Sequence, residues 1–193
     1  KKKIPRAHFE KSRGNTRQNY DYCSKDGDFE TNIDFRTFKD KLKEQCLELY
    51  KNVEWKPWQL DVMNLVNDSR AINWYWDKEG NIGKSFLCKY LALTRDVIVC
   101  EGKKADVFNQ VNCMLEAERI PEVIICDIPR STIDYINYGA LEQLKGGMLY
   151  SGKYEGGMCL FPQPLVICFA NEPPDESKMS EDRWNVIRIE SDE

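Results

Sequence analysis

Short apolar runs alternate along the second half of the chain with stretches whose apolar residues recur every three or four positions. The runs Ala-Ile-Asn-Trp-Tyr-Trp at 71–76, Val-Ile-Val-Cys at 97–100, Val-Ile-Ile-Cys at 123–126, Leu-Val-Ile-Cys-Phe-Ala at 165–170 and a last one at 186–189 predict strands. Residues 84–93, 103–119 and about 138–145 between them predict helices, and the glycine-rich 146–160 a hairpin. Strands separated by helices, and apolar along their whole length, imply a mostly parallel α/β sheet buried on both faces. Upstream, Leu42, Cys46, Leu49 and Tyr50 recur at helical spacing, and after the Lys56-Pro57 break so do Trp58, Val62, Leu65 and Val66. Residues 1–34 are polar, open with a basic stretch, and show no pattern long enough for a domain.

Composition narrows the function classes. A chain of 193 residues with 41% hydrophobic content can bury one substantial core. Its net charge of −4 gives no global basic field, so contact with nucleic acid requires local patches. The eight cysteines are scattered without a Cys-x-x-Cys pair and sit mostly in apolar runs, which points to a reducing compartment and to neither a disulfide framework nor a zinc site. No apolar run reaches the roughly 18 residues of a membrane span.

The candidate chemistry begins at "WYWDKEGNIGKSFL", residues 74–87, where a predicted strand gives way to Gly83-Lys84-Ser85 and a predicted helix. In the P-loop pattern G-x-x-x-x-G-K-[ST], backbone N–H groups surround phosphate oxygens, the lysine reaches the outer phosphates and the hydroxyl ligates Mg²⁺. Lys78 stands where the pattern has its first glycine, and Gly80 follows two residues later. The candidate cradle is Gly80, Asn81, Ile82, Gly83, Lys84, Ser85 and Phe86. Two further polar groups end apolar strands: Asp127 in "VIICDIPR", suited to a metal, and Asn171 in "LVICFANEPP", suited to orienting water. Open α/β sheets bind ligands at the carboxyl ends of strands.

The order of these segments resembles the replication-initiator (Rep) proteins of circular single-stranded DNA viruses, of the circovirus and nanovirus type, and specifically their superfamily 3 helicase domain. "WKPWQLDVMNLV", "GNIGKS", "VIICDIPR", "YSGKYEG" and "VICFANEPP" carry the resemblance across nearly the whole chain. It implies an AAA+-like P-loop domain over 67–193, a helical oligomerisation segment over 35–66, and over 1–34 the end of an endonuclease domain with its linker. "NYDYCSKDGDF" looks like that nuclease's Tyr-x-x-Lys motif, with Tyr22 as nucleophile and Lys25 beside it. The related nucleases also need two metal-binding histidines, and this chain has only His8, so nicking is not expected of it.

The resemblance further implies ATP and Mg²⁺ as cofactors, single-stranded DNA as partner, a hexameric ring, and work in the host nucleus. Lys84, Asp127, Asn171 and Arg183 would serve the ATPase, with Ser85 and Asp127 on the metal and Arg183 acting as an arginine finger on a neighbouring subunit. Lys145, Lys153 and Tyr154, in or beside the glycine-rich hairpin, would meet DNA, since a cation next to an aromatic suits phosphate contact and base stacking. Ile128 stands where many helicases of this superfamily carry a second acid, which leaves the water-activating group unassigned. Two rival readings are a non-enzymatic DNA-binding or oligomerisation module from a decayed Rep copy, and a P-loop nucleotide kinase.

Overall fold

A computed structural model describes residues 13–25, 27, 36–100, 104–150 and 157–190. The chain divides into two compact units, 1–45 and 46–193.

The first unit contains helix α1, Thr16–Cys23, in a stretch where the apolar pattern predicts none. Its start is fixed by a reciprocal cap. Asn15 Oδ1 accepts from the Gln18 backbone N–H and Gln18 Oε1 accepts from that of Asn15, each at 2.9 Å, so two orphan donors of the first turn are satisfied without any burial. Helix α2, Phe38–Glu48, begins after Thr37, whose hydroxyl accepts from the Asp40 N–H at 3.2 Å. The boundary between the units falls within α2.

The second unit opens with α3, Pro57–Met63, which carries proline in its first turn, where a missing N–H costs nothing. Strand β1, Ile72–Trp76, leads to α4, Lys84–Thr94; then come β2, Val97–Cys100, α5, Lys104–Glu116, and β3, Val123–Asp127. A 3₁₀ turn at Arg130–Tyr135 precedes α6, Tyr138–Gly146. The short strands β4, Met148–Tyr150, and β5, Met158–Leu160, pair antiparallel as the base of the expected hairpin. Strand β6, Leu165–Ala170, and β7, Trp184–Arg188, complete the element order.

Five strands form one parallel sheet in the order β2-β3-β6-β1-β7. All six residues of β6 are buried, as a central strand covered on both faces requires. Because side chains alternate across the pleat, the strands divide between two cores. Ile72, Trp74, Ile98, Ile124, Cys126, Val166 and Cys168 pack with Val107, Val111, Leu141 and Leu144 of α5 and α6. Tyr75, Ile125, Ile167 and Phe169 face Val62 of α3 and Leu87, Cys88 and Leu91 of α4. The pairing register aligns Cys100, Cys126 and Cys168 across β2, β3 and β6, with the sulfurs of Cys100 and Cys126 3.3 Å apart.

Among the described residues no helix is long and apolar enough to cross a membrane.

Candidate phosphate-binding cleft

Trp76 pairs with Ala170 and Asp127 with Phe169, so the loops after β1, β3 and β6 emerge side by side at one end of the sheet. They enclose an open cleft of about 450 Å³, lined by residues 80–86, 127–130 and Asn171. Every residue of the expected cradle from Gly80 to Phe86 is there, together with Asp127 and Asn171.

The loop after β1 turns on three left-handed residues, Gly80 (φ 86°), Asn81 (φ 59°) and Gly83 (φ 100°). Gly83 is also the residue before α4, and a Cβ there would lie 3.0 Å from Gln59 Nε2. That amide, buried on α3, donates to the Gly83 carbonyl at 3.3 Å, while its Oε1 accepts from the Lys56 N–H at 3.1 Å. The segment preceding the sheet thereby braces the start of α4. Unpaired N–H groups at such a helix start, reached through left-handed turns, favour an anion.

Lys84 and Ser85 are the first residues of α4. The Ser85 hydroxyl donates to Asp127 Oδ2 at 3.0 Å, which brings together two hard oxygen donors separated by 42 residues of sequence. The Lys84 ammonium is ion-paired with the Asp77 carboxylate, whose other oxygen accepts the Gly80 N–H. Burial lowers the lysine's pKa; the Asp127 charge opposes that fall and the Arg130 charge adds to it.

Two side chains hold the loop from outside. Arg130 Nη2 donates to the carbonyls of Lys78 and Glu79 at 2.8 and 2.7 Å, and Asn171 Nδ2 donates to the Asp77 carbonyl at 3.1 Å. Asp77, Arg130 and Gln59 were not among the residues expected from the sequence to form the site. Asp77 and Arg130 flank the motif residues, and a search for glycine at position 78 passes over an acid at position 77.

Other expected residues lie elsewhere. Lys145 does not reach solvent: it is fully buried on α6, and its ammonium donates to Asn67 Oδ1 at 2.7 Å and to the Pro164 carbonyl at 3.0 Å. It ties α6 to the segments that lead into β1 and β6. Lys153 and Tyr154 lie outside the described residues. Arg183 precedes β7 at the amino end of the sheet, since its neighbour Trp184 pairs with Ile72, a strand's length of roughly 15 Å from the cleft. Its Nε lies 3.0 Å from Glu142 Oε1, while the adjacent Asp182 pairs with Arg70. In the other unit Tyr22 is 74% exposed on α1, and the Lys25 ammonium lies 5.4 Å from its ring centroid.

Comparison with known proteins gives a consistent set of relatives. The chain is 31% identical to the master replication protein of Milk vetch dwarf virus (isolate N), over 95% of this chain and 78% of that protein. The same figures hold for the master replication protein of Faba bean necrotic yellows virus (isolate Syrian SV292-88). For that of Subterranean clover stunt virus (strain F) the identity is 35% over 79% of this chain and 52% of the relative. No family model matches the chain, and neither does any solved structure. Relatives at this identity, two of them covering 95% of this chain and 78% of their own length, show that the chain belongs to the replication-initiator (Rep) proteins of circular single-stranded DNA viruses.

Proposed function

We propose that the chain is an ATP-hydrolysing, Mg²⁺-dependent DNA helicase of superfamily 3, acting in rolling-circle replication of a circular single-stranded DNA genome. The observation that carries this reading is the Ser85–Asp127 hydrogen bond in a cleft lined also by the glycine-flanked start of α4. A hydroxyl and a carboxylate oxygen side by side fit Mg²⁺, which prefers hard oxygen ligands and is bound by few protein groups together with substrate phosphates. Bound there, the ion would neutralise charge on the transferred phosphoryl group.

Each side chain then has a task. The N–H groups of 80–85 and Lys84 bind the phosphates; Ser85 and Asp127 hold the metal; Asn171, at the end of β6, orients the attacking water. Arg183 acts on the cleft of a neighbouring subunit in a ring, proposed as a hexamer, because it lies far from the cleft of its own chain. Lys153 and Tyr154 meet single-stranded DNA. Tyr22 and Lys25 belong to a nicking motif, and the place of work is the host nucleus. The master replication proteins it resembles support the role in replication.

The test is phosphate release from ATP by the full chain, with and without single-stranded DNA, at protein concentrations spanning assembly. DNA-stimulated turnover that rises with assembly is expected. Nucleotide and DNA binding without turnover under any condition would favour the non-enzymatic module, and phosphate transfer to a second nucleotide the kinase.

A further inference from the structure

Phe86 lines the cleft immediately after Ser85 and is 40% exposed, although it is a large apolar residue on a helix whose Leu87, Cys88 and Leu91 are all buried. Its ring does not stand alone. Tyr50 lies 4.6 Å from it and Trp55 5.8 Å, centroid to centroid, and Tyr90 closes the group at 5.2 Å from Tyr50 and 4.6 Å from Trp55. The Tyr50 hydroxyl donates to the Phe86 carbonyl at 3.2 Å, which fixes the helix turn that carries the ring. Tyr50 itself is buried, so the cluster is anchored from beneath.

A rigid aromatic ring, backed by others and open on a phosphate-binding cleft, is a stacking surface that loses little side-chain entropy when a flat partner settles on it. We propose that Phe86, supported by Tyr50 and Trp55, is the platform on which the nucleobase of the bound nucleoside triphosphate stacks. The proposal rests on the phosphate-cleft reading and adds to it a second subsite. Lys84 and Ser85 take the phosphates, and the next residue along the helix takes the base. The segment 50–55, which precedes the sheet, thereby becomes part of the nucleotide site. Because every base presents a π-face, such a platform raises affinity for nucleotides of any base over a bare polyphosphate.

The experiment compares ATP with inorganic tripolyphosphate, each with Mg²⁺, by titration calorimetry on the full chain and on the Phe86→Ala and Phe86→Leu variants. Phe86→Leu keeps most of the apolar volume at this edge and removes the π-face. Wild-type protein is expected to bind ATP more tightly than tripolyphosphate by about five- to 150-fold, the usual worth of one stacked base. Both variants are expected to lose most of that ratio through weaker binding of ATP. Equal wild-type affinity for the two ligands overturns the platform and leaves the phosphate cleft standing, as does an unchanged ratio in Phe86→Leu. Failure of tripolyphosphate and ATP alike to bind overturns the cleft reading, and the platform with it. A change in self-association of Phe86→Leu with the nucleotide ratio intact would assign the ring to contact between copies of the chain and would also overturn the proposal.

Discussion

The carboxylate of Asp77 and the ammonium of Lys84 form a buried ion pair at the cleft, and the same carboxylate accepts the Gly80 N–H. The side chains are only 5% and 11% exposed. Asp77 therefore engages, within the protein, the cation and one of the backbone donors that a bound phosphate would need. On the proposed reading, phosphate binding would exchange one anion for another.

That exchange has a measurable sign. Asp77→Asn keeps an acceptor for Gly80 but leaves Lys84 buried beside no carboxylate of the loop, which should cost the ligand-free protein about 3–5 kcal/mol, the usual effect of breaking a buried pair from one side. Tripolyphosphate should restore much of it, because in the variant the ligand meets an unpaired cation. Thermal unfolding with and without tripolyphosphate should show a larger ligand-induced rise in Tm for the variant than for wild type. Equal rises would show that Asp77 does not compete for the site.

Asp127→Asn tests the oxygen pair with Ser85. The amide still accepts the Ser85 hydroxyl but carries no charge for a metal. Hydrolysis should fall by at least about 100-fold, and polyphosphate affinity in the presence of EDTA should not fall, since the variant removes a negative charge beside the anion. A loss of affinity in EDTA would instead give Asp127 a role in shaping the loop.

Lys145 gives a prediction about pH. Its burial lowers its pKa below the ordinary value of 10.5, and the nearby Asp68 charge opposes the shift. Between the lowered folded value and 10.5 the unfolded chain holds more protons than the folded one, so stability rises with pH across that window. Denaturation by urea from pH 7 upward should show that rise in wild type and not in Lys145→Met. The same variant should leave unchanged the salt dependence of binding to single-stranded DNA, since the ammonium faces Asn67 and Pro164.

Gly147 joins α6 to the hairpin in a left-handed conformation (φ 71°), and a Cβ there would lie 2.2 Å from the carbonyl oxygen of Phe161, a backbone atom that cannot swing aside. Gly147→Ala combines that clash with an unfavourable backbone angle and should cost roughly 2–5 kcal/mol. Calorimetric unfolding should show a Tm lower by roughly 5–15 °C for a chain of this size.

The parts of this structure that a linear reading finds are those written as local repetition. The apolar runs predict β1, β2, β3 and β6 within a residue or two; β1, β3 and β6 lie inside the sheet and are apolar because they are buried, while β2 is apolar although it is an edge strand with Val99 exposed. β7 begins at Trp184, two residues before the run that predicts it, since as an edge strand it carries Asn185 and Arg188 as well. Helix α1 leaves no apolar stripe because it buries nothing; its signal is the pair Asn15 and Gln18, three residues apart. The burial of Lys145 escapes a linear reading for a different reason. Followed by two glycines, it looks like a hairpin base, and its burial depends on Asn67, which lies 78 positions away in the sequence. Asp77 and Arg130 likewise take their meaning from partners brought in by the fold. The glycine-flanked turn into α4 can be read from its own residues, and the side chains that hold it cannot.

The aligned cysteines of β2, β3 and β6 make the sheet a chemical clock. Cys100, Cys126 and Cys168 are buried, whereas Cys23 and Cys113 are exposed. An alkylating reagent meets the exposed pair at the speed of solvent chemistry and reaches the central three only in molecules whose sheet has come apart. The masses of the fragments that carry Cys100, Cys126 and Cys168 then report how often the centre of the fold opens, with the fragments of the two exposed thiols as internal standard.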